Sequence, residues 1–170
     1  MRFKAFTEPS ERIPVGIRFR RISDNDLPFL KQLYASTRQQ EMDLVGWTSA
    51  QKDQFLKMQF EAQHSYYTEQ FTEADFLVVE KNSEAIGRVY IDRREAEIRL
   101  IDIALLPPHR GLGLGTLLLK ELLCEAGDLN LPLTIHVEKN NPAMQLYLRL
   151  GFVPVEDQGV YDLMMWKPAA

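Results

Sequence analysis

The sequence predicts an α/β domain built on a mixed, mostly antiparallel sheet of about seven strands, flanked by about four helices. Three observations lead there. DFLVVEK, AIGRVYIDRR and EIRLIDIALL follow one another with only short polar turns between them, the pattern of an antiparallel meander. Two segments of helical period precede this meander. After it, strand-like and helix-like runs alternate to the end of the chain. The length of 170 residues suits one domain with a core of ordinary size.

Residues 1–14 read as a loosely held N-terminal arm, because Pro9 and Pro14 interrupt any periodic pattern; residues 15–170 form the single domain. GIRFRRI (Gly16–Ile22) alternates apolar and basic residues and reads as a strand. Asp24 offers an N-cap to a helix from about Leu27 to Arg38, with Pro28 accommodated in its first turn. Met42–Thr48 reads as a connection. A second helix follows Thr48, with Phe55, Met58, Ala62 and Tyr66 spaced to line one face. Pro107 and Pro108 end the third strand of the meander. A helix then runs to about Ala126, stopped by Gly127 and Asp128. LTIHVEK is the next strand. Asn141-Pro142 caps and starts a helix whose Ala143, Leu146, Tyr147 and Leu150 share a face, and Gly151 closes it. FVPVED and VYDLMMWK form a terminal hairpin around Gln158-Gly159.

The bulk properties narrow the function. A formal charge of −4 lacks the broad basic footprint of a nucleic-acid binder. The basic residues near the start (Arg2, Lys4, Arg12, Arg18, Arg20, Arg21) read as a solvated tail and strand face. No run is long and apolar enough to span a bilayer, and the N-terminus has no signal-like core, which favours the cytoplasm and no membrane partner. Cys124 is the one cysteine and reads as a small buried thiol. His64, His109 and His136 show no ligand spacing with one another or with Cys124, so no metal is expected.

Arg110-Gly111-Leu112-Gly113-Leu114-Gly115-Thr116 follows a strand and opens a helix. Three glycines there cost helix stability. In return they let backbone N–H groups at the positive end of the helix dipole approach an anion closely, and a pyrophosphate is the natural occupant. Arg110 brings a fixed charge and Thr116 a hydroxyl. A P-loop would require a lysine before the threonine, and a dinucleotide fingerprint would space its glycines G-x-G-x-x-G inside a parallel unit. Neither describes this stretch. A glycine-rich turn that binds nothing is the remaining plain reading.

Arg110-x-x-Gly113-x-Gly115 resembles the pyrophosphate-binding signature of the GNAT superfamily of acetyl-CoA-dependent N-acetyltransferases. NNPAMQLYLRLGF resembles the family's second signature, a helix ending Leu-Tyr-x-x-x-Gly-Phe, and the element order is the family's order. The resemblance covers about Gly16–Lys167, although Asp24–Phe71 carries no matching signature. It implies a GNAT-type sheet and an acyltransferase that moves an acetyl group from acetyl-CoA to a primary amine of a small molecule, peptide or protein. It also implies a V-shaped cleft beside the third meander strand. There the backbone of Ile103, Ala104 and Leu105 would pair with pantetheine, the N–H groups from Arg110 to Thr116 would take the pyrophosphate, and Asn140 would help fix the cleft. Tyr147 holds the position of the family's thiolate-protonating tyrosine, although its helix face also suits a core aromatic.

For the general base two carboxylates compete, and the resemblance also allows a water chain alone, as other family members use. Glu97 stands thirteen residues before Arg110, where protein-acetylating members carry a glutamate, but a solvated strand-end carboxylate fits as well. Asp102 shares a face with Ile98, Leu100 and Ala104 by strand alternation, and must be either paired, with Arg88 or Arg99 as candidates, or functional. The resemblance points to Gln39, Gln40, Glu41, Trp47, Tyr66, Tyr67 and Asp162 for the acceptor. A non-catalytic acyl-CoA-binding module and a cleft for a different nucleotide are the competing readings. A homodimer through exposed terminal strands is open.

Overall fold

The structure, a computed structural model, describes residues 3–169; residues 1, 2 and 170, which include Arg2 and the ends of the expected arm and domain, lie outside it. Seven strands form one sheet in the order β1-β2-β3-β4-β5-β7-β6, with β1 Ile17–Arg21, β2 Asp75–Lys81, β3 Glu84–Arg93, β4 Ile98–Leu105, β5 Leu133–Glu138, β6 Val153–Gln158 and β7 Tyr161–Trp166. Neighbours are antiparallel except β4 and β5, which run parallel. The expected mixed sheet is present. Five α-helices flank it: α1 Leu27–Thr37, α2 Gln39–Asp43, α3 Ser49–Gln70, α4 Leu114–Leu129 and α5 Met144–Arg149.

The sequence reading misses α2. Arg38 leaves helical geometry with φ −109° and ψ 4°, and one further turn then buries Met42 against Leu30, Tyr34, Leu56 and Phe60. The start of α1 also differs. Asp24 opens a short 3₁₀ turn, and the capping box is made by Ser23 and Asp26. Along α3 the buried residues are Leu56 and Phe60, while Met58 and Tyr66 are exposed, so the buried stripe lies one position away from the expected one. Apolar residues surround this helix on several sides, and only packing on α1 selects among them. Helix α4 continues through Gly127 and Asp128, because Asn130 adopts the left-handed conformation that ends it (φ 54°). Cys124 on α4 is half-buried rather than buried.

Two cores cover the two faces of the sheet. On one face, Val89, Ile91, Ile98, Leu100, Leu133, Ile135 and Val137 pack against α4 and α5. On the other, α1, α2 and α3 build their own cluster and meet the sheet through Arg88 and Tyr90 of β3. The arm is not loose. Ala5 and Phe6 are buried in the α4-side core, Ala5 N–H donates to Glu125 at 2.6 Å, and Ser10 and Arg12 both bind Glu121. Proline interrupts regular structure there without preventing side-chain burial.

Candidate active site

Strands β4 and β5 pair over only three positions, Ile98↔Leu133, Arg99↔Thr134 and Leu100↔Ile135. Beyond Leu100 they part. From Ile101 to Leu105, β4 keeps its antiparallel partner β3 on one side and leaves its other edge without a strand. The open edge of this V runs directly to the glycine stretch, where Pro107–His109 make a 3₁₀ turn before α4.

The turn supplies a row of bare amides. Gly111 and Gly113 have φ of 72° and 87°, and a methyl group placed on Gly111, Gly113 or Gly115 would meet no atom within 4 Å. Gly113 is the N-cap of α4 and provides no side-chain acceptor. Among the described residues, the first backbone amide of this helix to find a carbonyl is Leu117, on Gly113. The N–H groups of Gly111–Thr116 therefore stand at the positive end of a sixteen-residue helix without protein partners. Arg110 departs from expectation. Its N–H donates to Pro107 at 3.2 Å, and its guanidinium binds the Leu105 carbonyl at 2.7 Å and Ser36 at 3.0 Å. It ties the turn to the end of β4 and to α1 instead of contributing an amide.

On the β5 side, Asn141 accepts from Ala143 N–H at 2.8 Å, and α5 follows. Gly151 (φ 100°) ends α5 in a Schellman arrangement: Phe152 N–H donates to Tyr147 and Gly151 N–H to Leu148. The ring of Phe152 meets that of Tyr147 at 5.6 Å. Tyr147 is 4% exposed, and burial, with Asp102 adding to it, pushes its phenol well above the usual tyrosine range. Its hydroxyl has no partner among the described residues, yet is not one of the two polar atoms sealed off unpaired, Tyr90 Oη and Glu121 Oε2. Asn140 is exposed in the β5–α5 turn.

A scan for known families matches residues 31–152 to the acetyltransferase (GNAT) family. The chain belongs to the GNAT acetyltransferase family. No curated protein matches it in sequence. Solved structures share its fold at low identity. The PaiA N-acetyltransferase of Thermoplasma acidophilum, in complex with coenzyme A, superposes with TM-score 0.66 at 18% identity over 89% of this chain and 98% of that one. The ribosomal-protein-S18-alanine N-acetyltransferase of Escherichia coli gives 0.60 at 18% over 91% and 96%. Naa50 of Arabidopsis thaliana, bound to the bisubstrate analogue CoA-Ac-MVNAL, gives 0.54 at 17% over 89% and 97%.

In this GNAT acetyltransferase the face of Asp102 differs from the alternation argument. A bulge at Ile101 puts Tyr90 opposite Asp102 but Ile91 opposite Leu100. The extra residue turns Asp102 and Ala104 away from the α4-side core, to the face of Arg88 and Tyr90. There Asp102 accepts from Arg88 at 2.5 Å, and Arg88 also binds Gln63 of α3 at 2.8 Å. Glu97 stands before β4, about 13 Å along the strand from the bulge at ~3.3 Å per residue. It is held by Arg94 at 2.9 Å and Arg99 at 3.1 Å. The structure therefore does not bring the two carboxylates together, and neither stands free.

His136 is the residue that sequence reasoning passed over except as a metal ligand. It is the first β5 residue past the paired positions, exposed on the same face of the strand as the buried Thr134. Arg99 reaches it at 3.3 Å, so its Nε2 accepts, and burial together with Arg99 depresses its imidazole below the usual range. Among the residues expected for the acceptor, Tyr67 approaches the bulge end, its phenol raised by burial and by Asp102. Tyr66 is exposed, Gln39, Gln40 and Glu41 lie exposed on α2, and Trp47 packs on Phe55. Asp162 is opposite Val137 in the ladder, which turns it to the α5 side of the sheet and away from His136. A separate cleft of about 460 Å³ between α1 and α3, lined by Leu27, Phe60 and His64 among others, includes none of these residues.

Proposed function

We propose that the chain moves an acetyl group from acetyl-CoA to a primary amine by direct attack within a ternary complex. The observation that carries this reading is the parting of β4 and β5 into an open edge that leads to six unpartnered amides at the mouth of α4. The glycine cradle fits a pyrophosphate: it is bare, positive by its dipole, and wide enough that missing Cβ atoms meet nothing. Open-edge amides of Ile103 and Leu105 suit the pantetheine amides, while Ala104 N–H faces β3 as Leu106 N–H does on Ile86, so Leu105 N–H is the one that would polarise the thioester carbonyl. Asn140 would border the arm where it passes α5.

The reaction then needs little from side chains. The amine lone pair forms a C–N bond to the acetyl carbon, the C–S bond breaks, and the leaving thiolate takes the Tyr147 hydroxyl proton. The proton lost from nitrogen returns to solvent and restores the phenol. Burial raises the phenol, so Tyr147 keeps its proton until the thiolate forms; the same shift makes it a weaker acid, and the transfer therefore depends on its placement. The test is acetyl-CoA-dependent release of free thiol that requires an added primary amine. Tight binding of CoA with no thiol release across a panel of amines would overturn the transfer reading and leave an acyl-CoA-binding module.

A further inference from the structure

The α4-side core covers one face of the V, where Leu100 and Ile103 pack. An acceptor must therefore reach the open edge from the opposite face, the one to which the bulge turns Asp102. Among the described residues, the carboxylate oxygens near this end without a partner are Asp102 Oδ1, Glu97 Oε2, Asp92 Oδ1 and both oxygens of Glu156. Position separates the four groups. Glu97 precedes β4 and Asp92 stands opposite Arg99, so both belong to the paired end of the V. Glu156 is on β6, with β5 and β7 between it and β4. Of the four, Asp102 is the one on the parted length of β4. It is also held in one orientation. Its Oδ2 accepts from Arg88 Nε at 2.5 Å, and Arg88, 3% exposed, donates through Nη2 to Gln63 of α3 at 2.8 Å and lies 4.7 Å from the centre of the Tyr90 ring. The Asp102 side chain nevertheless stays 27% exposed, so it is fixed from behind and open in front. Its charge bears on the phenols of both Tyr147 and Tyr67. Tyr147 is the acid for the leaving sulfur, and this carboxylate therefore stands near the same thioester.

We propose that Asp102, through Oδ1, is the catalytic proton acceptor of the transfer, and that Arg88 and Gln63 are the residues that position it. The inference rests on the acetyl-transfer reading above and adds a base to it, at a position other than Glu97. Bonding to the acetyl carbon leaves the amine nitrogen positively charged and far more acidic than a free ammonium ion. A carboxylate already held by an arginine is then a sufficient acceptor, provided that it is in reach. The nitrogen proton passes to Asp102 Oδ1, the C–S bond breaks, and the thiolate takes the Tyr147 proton. Asp102 gives its proton up to solvent, from which the phenol is restored.

The experiment measures thiol release with benzylamine, alaninamide and Nα-acetyl-lysinamide as acceptors, beside calorimetric affinity for acetyl-CoA. Asp102→Asn should lower kcat by at least about a hundredfold and leave acetyl-CoA affinity within about threefold. The double variant Arg88→Met, Asp102→Asn leaves no buried guanidinium unpaired and should be equally slow. In Asp102→Ala, added formate should raise the rate at least about tenfold. Chloride, which neutralises Arg88 but takes up no proton, should not. Gln63→Leu should lower kcat about tenfold at unchanged acetyl-CoA affinity, and Gln63→Glu, which keeps an acceptor for Arg88, should recover most of that loss. A double variant that binds acetyl-CoA and keeps kcat within about threefold overturns the proposal and leaves acetyl transfer intact. So does rescue by chloride equal to that by formate, or a loss on Glu97→Gln as large as on Asp102→Asn. Failure of all three amines to release thiol with the native protein, while acetyl-CoA still binds, overturns the transfer reading and the proposal together.

Discussion

Tyr147 owes its position to local backbone chemistry. Gly151 takes a left-handed φ that a residue with Cβ resists, and this brings Phe152 back under the tyrosine ring. A Cβ on Gly151 would also meet Trp166 at 3.3 Å. The phenol is thereby fixed before any ligand arrives, which is what a positioned acid requires. Tyr147→Phe removes one hydroxyl that has no protein partner, so folding should be unchanged. The expected outcome is a fall in kcat of at least about tenfold with CoA affinity retained, read by steady-state kinetics beside calorimetry. The spacing from Tyr147 to Gly151-Phe152 made this residue legible in the sequence. Asp102 was legible only as an alternative between ion pair and catalyst. Its facing was not, because one bulged residue at Ile101 reverses the alternation without leaving any mark in composition.

At the scale of elements, the strand and helix periods were clear wherever one face is buried: β2 and β4 fall within a residue of their expected ends. Those periods fail on α3 and at α2, where tertiary packing on α1 decides among several apolar stripes. The glycine turn was legible as backbone, because Gly111 and Gly113 take the positive φ that glycine favours, while its occupant stays a proposal. Gly113→Ala tests it. Alanine at φ 87° costs about 1 kcal/mol, and its methyl group projects into the cradle without touching protein. Gly159→Ala is the control, with φ 82° and equally open surroundings in the β6–β7 turn. Both variants should lose similar stability in urea, and only Gly113→Ala should weaken CoA binding, by at least tenfold. The junction of β1 and α1 offers a second test. Arg20 binds Asp26 through two hydrogen bonds of 2.8 Å and pulls its carboxyl down to about 2. A depressed carboxyl stabilises the fold above its unfolded value near 3.9, and that contribution is lost as pH falls through 2. Because Arg20 is well exposed, solvent screening reduces its worth to about 1 kcal/mol. Asp26→Asn should therefore lower stability at pH 7, and its deficit against the parent should shrink between pH 4 and pH 2 in urea titrations.

The molecule as a whole is closed from behind by its own N-terminal segment. This was illegible in the sequence, since the partners lie on α4 more than a hundred residues away. Glu121 and Glu125 are fully buried carboxylates on a helix otherwise rich in leucine, and they are kept there by Arg12, Ser10, Arg93 and the Ala5 amide. Burying such charges without partners would cost several kcal/mol, so the segment and the helix require each other. Phe6 shows how strongly the contact is favoured. It adopts φ 67°, a strained conformation for a residue with Cβ, and still places its ring 4.5 Å from Phe19 inside the core. Phe6→Ala keeps the strain and loses the ring, and should destabilise the protein by about 3 kcal/mol. Phe6→Gly loses the same ring but relieves the backbone, so it should be more stable than Phe6→Ala by about 1 kcal/mol, the reverse of the usual order of alanine and glycine. Glu121 and Glu125 follow the mouth of α4 by about 10 and 16 Å at 1.5 Å per residue. Neither variant should therefore change CoA affinity at a temperature where both are folded. Urea titration gives the order of stability, and calorimetry gives the affinity. Equal stability of the two variants would show that the left-handed turn at Phe6 is not what the ring's burial has to overcome.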